Sequence, residues 1–339
     1  MKLAALAATL VLAGCSFDGG PADDAENTTA IESTTRKPKP TNNDVYASVY
    51  AAVDKTKLDG LLRDMTGVNP VTVGGQTFSI TNRYTPAAKA NYRAYWTNYF
   101  QSLGMTVTQE AFPQSGGQEA QGHNVEAVLP GKTADSVVII VHYDSIGPHG
   151  DDNPGVDDDM TGMAILMETA RILTTYRGRV HNTVRFVASD LEEVGGLAGA
   201  RAYAKSIKAT AAAQGFKIVA SIDDEQSGWK EGANTIDMFD RNCSGTSPNS
   251  TSLSTLFKGT ATKYSTMTTK NGCVDANSDL YAMWEVGVPS ITYGEHDPFA
   301  NPHFDDEGGD TYDKIAHDYF FNIAQVGVTF STQVVGIDP

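Results

Sequence analysis

VVIIVHYD, residues 137–144, carries the reading of the fold: five β-branched residues in an unbroken row, then His142 and Asp144. Such a run packs well on a pleated sheet and keeps no polar face for water, so it reads as a central strand buried on both sides. Working outward, strand-like runs recur at 105–111, 124–129, 183–189, 217–222 and 288–293. Helix-like runs lie between them at 53–65, 86–104, 163–174, 196–207 and 317–326. This alternation calls for a three-layer α/β/α sandwich around a central mixed, largely parallel sheet. One domain over residues 46–339 accounts for all of it, with 234–275 as an insertion of unassigned structure. The helix at 86–104 carries Tyr92, Tyr95, Trp96, Tyr99 and Phe100 at helical spacing, a stripe that reads as core packing.

The amino end is of another kind. Lys2 precedes an apolar run over residues 3–13 that is too short to cross a bilayer and reads as a secretory signal. It closes with Leu12-Ala13-Gly14-Cys15, which resembles the lipobox of bacterial lipoproteins. That resemblance implies a signal peptide over residues 1–14, an acylated Cys15, and an exported bacterial lipoprotein anchored to the membrane at the cell envelope or surface. Residues 15–45 hold almost nothing apolar and read as a flexible tether spanning on the order of 30 Å. Membrane contact is then expected through Cys15 alone.

The chain has 339 residues, 40% hydrophobic and 19% charged, with a net charge of −16. That charge argues against a nucleic-acid partner, since phosphate binding needs Lys and Arg to displace counterions. Besides Cys15 there are only Cys243 and Cys273, which in an oxidising compartment are expected to form a disulfide.

Five segments carry chemistry, each just after a strand or on a loop, where open α/β sheets place their sites. They are His142-Tyr143-Asp144, the acidic run Asp157-Asp158-Asp159, the pair Glu192-Glu193, the pair Asp223-Asp224, and His303 in a loop near the carboxyl end. Crowded carboxylates are costly without cations, and imidazole with carboxylate is a donor set for a divalent metal. One of the three consecutive aspartates can be explained as a helix cap.

Taken together, ITNRYTPAAKANY (80–92), HYD, PGVDDDMTG (154–162), FVASDLEEVGGLAGARAYA (186–204), NSDLYAMWEVGVPSITYGE (277–295) and NPH ahead of GDT resemble a known family. It is the dizinc aminopeptidases of the bacterial leucyl-aminopeptidase type, which also includes glutaminyl cyclases and glutamate carboxypeptidases. The resemblance implies two Zn2+ per chain, with Asp157 bridging them, His142 and Asp223 completing one site and Glu193 and His303 the other. It makes Glu192 the general base toward a metal-bridging hydroxide, has Asp144 orient His142, and leaves Asp158 and Asp159 as shaping and capping residues. It also implies a non-proline cis peptide after the bridging aspartate, at Asp157-Asp158. Substrates would be peptides with a free amino terminus.

The chain departs from that pattern in three places. His303 lies seven residues before Asp310 instead of four, with His296 the alternative ligand. Asp223 is followed by a second candidate, Asp224. No tyrosine precedes the Ser278-Asp279 pair, so the oxyanion donor is left open between Tyr281 and Tyr293, with Asp279 structural. His149 is expected as a solvated loop residue, and His123, His181 and His317 in surface or packing roles. Two other readings stand beside the peptidase: a single-zinc glutaminyl cyclase, and a non-catalytic surface binding module.

Overall fold

The computed structural model describes residues 44–114, 120–146, 153–230, 232–275, 278–303 and 309–339. The signal, Cys15, nearly all of the tether, and His149 lie outside the described residues. Helices α1 (Val45–Ala52) and α2 (Lys55–Met65) lead into a hairpin of β1 (Val71–Val73) and β2 (Gln76–Phe78). Helix α3 (Pro86–Ser102) follows, capped by Thr85. Next come β3 (Thr106–Pro113), β4 (Gln121–Leu129) and β5 (Thr133–His142). Helix α4 (Gly162–Thr175), β6 (Asn182–Ser189), α5 (Ala198–Gln214) and β7 (Ile218–Asp224) continue the alternation. The chain ends through β8 (Thr235–Phe239), α6 (Thr251–Tyr264), β9 (Thr268–Gly272), α7 (Leu280–Glu285), β10 (Ser290–Gly294) and α8 (His317–Val335).

Eight strands form one sheet in the order β3-β4-β6-β5-β7-β10-β8-β9. The four middle strands, β6 to β10, are mutually parallel, while β4 runs against β6 and β8 against β10. Side-chain alternation along β5 splits its apolar run between two cores. Val137, Ile139 and Val141 join the cluster under α1 to α4, α6 and α8. Val138 and Ile140 join the cluster under α5 and α7. Both faces are therefore covered, as the unbroken β-branched run requires. The stripe on α3 is core at Tyr92, Trp96 and Phe100, with the Trp96 and Phe100 rings 4.0 Å apart.

The connections set where a site can form. From β5 the chain moves outward through α4 to β6, then returns past β5 through α5 to β7. A right-handed crossover on each move places α4 and α5 on opposite faces. The reversal opens a crevice at the carboxyl ends of β5 and its neighbours, the usual ligand position in such sheets.

Residues 234–275, whose structure the sequence left unassigned, extend the sheet. Parallel β8 and β9 are joined by α6 and continue it beyond β10. Cys243 and Cys273 are bonded, with Cα atoms 4.9 Å apart, joining the exits of these two strands. No helix among the described residues is long and apolar enough to cross a membrane.

Candidate active site

His142 is the last residue of β5 and is almost fully buried. Its Nδ1 faces the Asp144 backbone carbonyl at 3.1 Å. A carbonyl only accepts, so Nδ1 carries the proton and Nε2 is turned toward the Asp158 carboxylate, 2.9 Å away. Glu225, the first residue beyond β7, completes a group in which one donor atom each from His142, Asp158 and Glu225 lies within 4.8 Å of the others.

The acidic run is laid out by hydrogen bonds to its backbone. Asp310 accepts from the amides of Asp157 at 2.8 Å and Asp158 at 2.9 Å, one to each carboxylate oxygen. Gly155 holds a left-handed conformation at φ 52°, and a Cβ there would lie 2.4 Å from the Asp158 carbonyl. Arg83, fully buried, donates to the carbonyls of Tyr143 at 2.7 Å and Gly155 at 2.9 Å, and closely to that of Pro154. It thereby ties the exit of β5 to the turn before the acidic run. Replacing Arg83 with Met leaves those buried carbonyls without donors, at about 1–3 kcal/mol for each. We expect at least about 3 kcal/mol of lost stability in urea unfolding.

Once the backbone is fixed, the three aspartates face different ways. Asp157 accepts from the Gly228 amide at 2.6 Å and from Asn301 Nδ2 at 2.9 Å. Asp159 caps the start of α4 through the Gly162 amide at 3.0 Å. Only Asp158 meets His142, while Gln226 Nε2 donates to its other oxygen at 2.9 Å. The cis peptide joins Asp158 and Asp159, one residue later than the expected Asp157-Asp158 bond.

The segment after β6 carries Glu192 and Glu193. Their amides donate to the two oxygens of Asp144, at 3.0 Å and 3.2 Å. Leu191 just before them takes a left-handed conformation at φ 62°, uncommon for a branched residue, and turns both amides the same way. Asp144 orients His142 through its backbone carbonyl, since its carboxylate lies 3.7 Å from Nδ1 and is engaged with this turn.

The five expected ligands do not all converge. His142 lies in the close group, whose other members are Asp158 and Glu225 and not Asp157 or Asp223. Strand alternation explains why Asp223 is not among them. On β7, Asp223 points into the layer under α7, where Thr292 Oγ1 donates at 2.9 Å, the Leu280 amide at 3.3 Å, and Ser278 closely. Asp224 points to the opposite layer and accepts from Ser227 Oγ at 2.8 Å. The side chain at the rim belongs to the residue past the strand end, Glu225, a carboxylate visible in the sequence after ASIDD. His303 follows β10 in a loop, its amide donating to Asn301 Oδ1 at 2.9 Å. Among the described residues, neither it nor Glu193 belongs to the close group. Its rival His296 is held by Asp237, 2.9 Å from Nδ1. Asn301, the first residue of NPH, links the loop to the acidic run by donating to both Asp157 and Glu295 at 2.9 Å.

Negative charge dominates the crevice. Burial pushes the carboxyl of Asp157 up to about 6, Asp279 to about 7, and Asp224 and Asp310 to about 8. Burial also raises Glu192 and Glu225 well above the ordinary range, as do nearby acids, with the His142 charge opposing. For His142 burial works downward, but hydrogen bonds to Asp144 and Asp158 outweigh it and raise the imidazole. Oδ2 of Asp159, Oδ2 of Asp224 and Oδ1 of Asp279 have no hydrogen-bond partner although buried. The carboxylates gathered beside His142 are a donor set that fits a divalent cation.

A pH dependence follows. These carboxyl groups titrate higher in the folded chain than in the unfolded chain, so between about pH 4 and 8 the folded form holds more protons and stability falls as pH rises. Chelator-treated protein should therefore melt at a lower temperature at pH 8 than at pH 5.5. Added zinc should raise the melting temperature more at pH 8. A flat or rising profile in the chelated protein would contradict this charge assignment.

Residues 124–330, more than half of the chain, match the family model of peptidase family M28. The chain belongs to peptidase family M28. This M28 chain is 34% identical to leucine aminopeptidase 1 of Fusarium vanettenii over 131 residues, which is 37% of this chain and 31% of that protein. It is 25% identical to leucine aminopeptidase 1 of Arthroderma gypseum over 304 residues, 85% of this chain and 76% of that one. Its fold matches the glutaminyl cyclase of Macrostomum lignano, with TM-score 0.69, 16% identity, and coverage of 90% of this chain and 97% of the other. It matches BSAP, a zinc aminopeptidase from Bacillus subtilis, with TM-score 0.67, 13% identity and coverage of 84% and 96%. The sheet and its helices are thus those of M28 peptidases; the sequence relatives are leucine aminopeptidases, and the glutaminyl cyclase shares the fold.

Proposed function

We propose that this M28 peptidase is a zinc-dependent aminopeptidase that removes single residues from the free amino ends of peptides. The observation that carries the reading is the close group of His142, Asp158 and Glu225 beside a partly buried Glu192 held by Asp144. The donor set suits zinc: an imidazole nitrogen, Nε2 of His142, that could exchange its proton for a metal ion, and carboxylates beside it. His142, Asp158 and Glu225 would hold one cation, and Asp158 with Glu193 and His303 a second.

Bound zinc supplies Lewis acidity and makes a water acidic enough to lose its proton near neutral pH. The chain's own residues do the rest. Glu192 would accept a proton from water and return it to the leaving amine. Asp144 keeps the Glu192 backbone in place and, through its carbonyl, keeps the Nδ1 proton on His142.

The lipobox resemblance extends the proposal to an exported lipoprotein anchored through Cys15. Radiolabelled palmitate should enter the full-length chain and fail to enter Cys15→Ala.

Two peptides test the activity, one with amino-terminal leucine and one with amino-terminal glutamine. Hydrolysis shortens the peptide and releases the free amino acid, whereas cyclisation of the glutamine loses ammonia at unchanged length. Mass spectra are expected to reveal shortening. Loss of ammonia without shortening would replace the aminopeptidase by a cyclase, and two unchanged peptides with folded, zinc-loaded protein would favour a binding module.

A further inference from the structure

Beneath the turn that carries Glu192 and Glu193 lies a buried ion pair that the proposed chemistry does not use. Lys89 Nζ, on the first turn of α3, is 2.9 Å from Asp190 Oδ1, with side chains only 3% and 0% exposed. An ammonium and a carboxylate removed from water cost much in solvation, and removing one partner leaves the other stranded. Such a pair contributes little to stability over an apolar substitute, so its place in the molecule asks for another account.

Asp190 sits at the hinge of the turn. Its other oxygen accepts from the His123 amide at 3.0 Å, its amide donates to Asn124 Oδ1 at 3.1 Å, and its carbonyl accepts from the Gly199 amide at 2.9 Å. A Cβ at Gly199 would lie 2.1 Å from that carbonyl, so α5 is packed directly on the hinge. One residue on, left-handed Leu191 swings the chain round, and the next two amides dock on Asp144. The turn is thus pinned at both ends, by Asp190 before Leu191 and by Asp144 after it.

Helix α3 grips the neighbouring rim segment as well. Tyr143, between His142 and Asp144, stacks on Tyr92 with ring centroids 5.1 Å apart and accepts from Arg93 at 2.9 Å. Its hydroxyl donates to the His123 carbonyl at 3.0 Å. One helix therefore holds the His142 segment through Tyr92 and Arg93, and the Glu192 segment through Lys89.

We propose that Lys89 is a positioning residue for Glu192: through Asp190 it fixes the turn after β6 relative to the His142 segment, and so sets the distance between base and metal site. This inference rests on the aminopeptidase reading.

The test uses the full chain, zinc-loaded, with a leucyl-nitroanilide, in wild type, Lys89→Met, Asp190→Asn and the double variant. Wild-type turnover, lost in Glu192→Gln, first establishes the reading itself; its failure there is a failure of that reading and not of Lys89. Given that turnover, each single variant is expected to lose at least about 30-fold in kcat, with KM within about threefold and zinc content unchanged. The double variant should lose no more than either single one, since the two residues act as one device. It leaves no stranded charge, and so carries the comparison if a single variant does not fold. Wild-type kcat in folded, zinc-loaded Lys89→Met or in the double variant would overturn the proposal. So would a loss confined to KM or to zinc content.

Discussion

Glu192→Gln is expected to lower kcat by roughly 10³-fold or more, near the upper range for loss of a general base, while zinc content and KM stay close to wild type. The amide keeps the size of the side chain and removes only its ability to take a proton. Its backbone amide still donates to Asp144, so the turn is preserved. If instead the variant lost zinc in proportion to activity, Glu192 would be a ligand and the base would have to be sought among Glu193 and Asp279.

The second large effect separates neighbours in the acidic run. Asp158→Asn should strongly weaken zinc binding at both cation positions and lower kcat/KM by about 10³-fold or more. Asp157→Asn removes an acceptor for the Gly228 amide and Asn301, and should act chiefly on stability, with zinc retained. The same contrast is expected at the end of β7: Glu225→Gln costs zinc affinity, and Asp223→Asn loosens the anchorage with Ser278 and Thr292. Metal analysis by atomic emission and a thermal melt on each variant decide the matter. Zinc loss in Asp157→Asn or Asp223→Asn with retention in the other two would reverse the assignment.

These contrasts mark where the sequence was and was not legible. The unbroken apolar run in β5 announced a strand covered on both faces, and its alternation into two cores bears that out. Residue types after β5, β6 and β7 announced a rim crowded with imidazole and carboxylate groups. Which member of each acidic cluster faces the rim was not legible, because it depends on strand length and backbone pinning. Asp223 looked favoured by the apolar residue before it, yet β7 runs one residue further, to Asp224, and hands the rim to Glu225. That Asp158 is the one facing His142 is not readable from the run itself, because its backbone is set by Asp310, some 150 positions away, and by Arg83 from ahead of the sheet.

The hairpin of β1 and β2 was missed although its Gly74-Gly75 pair, both at positive φ between alternating residues, is a strong turn signal. The role of α3 could not be read as anything beyond core packing. An aromatic stripe is legible as a buried face, but the partners of Lys89 and Arg93 lie on loops that only the folded sheet brings near.

The most direct test of the central claim is the release of nitroaniline from leucyl-nitroanilide and from its N-acetylated counterpart, before chelation, after it, and after zinc is restored. The free-amine substrate is expected to be hydrolysed, the acetylated one spared, and the activity lost to chelator and recovered with zinc. Hydrolysis that persists through complete chelation, or none from folded, zinc-loaded protein across a panel of aminoacyl groups, would contradict it.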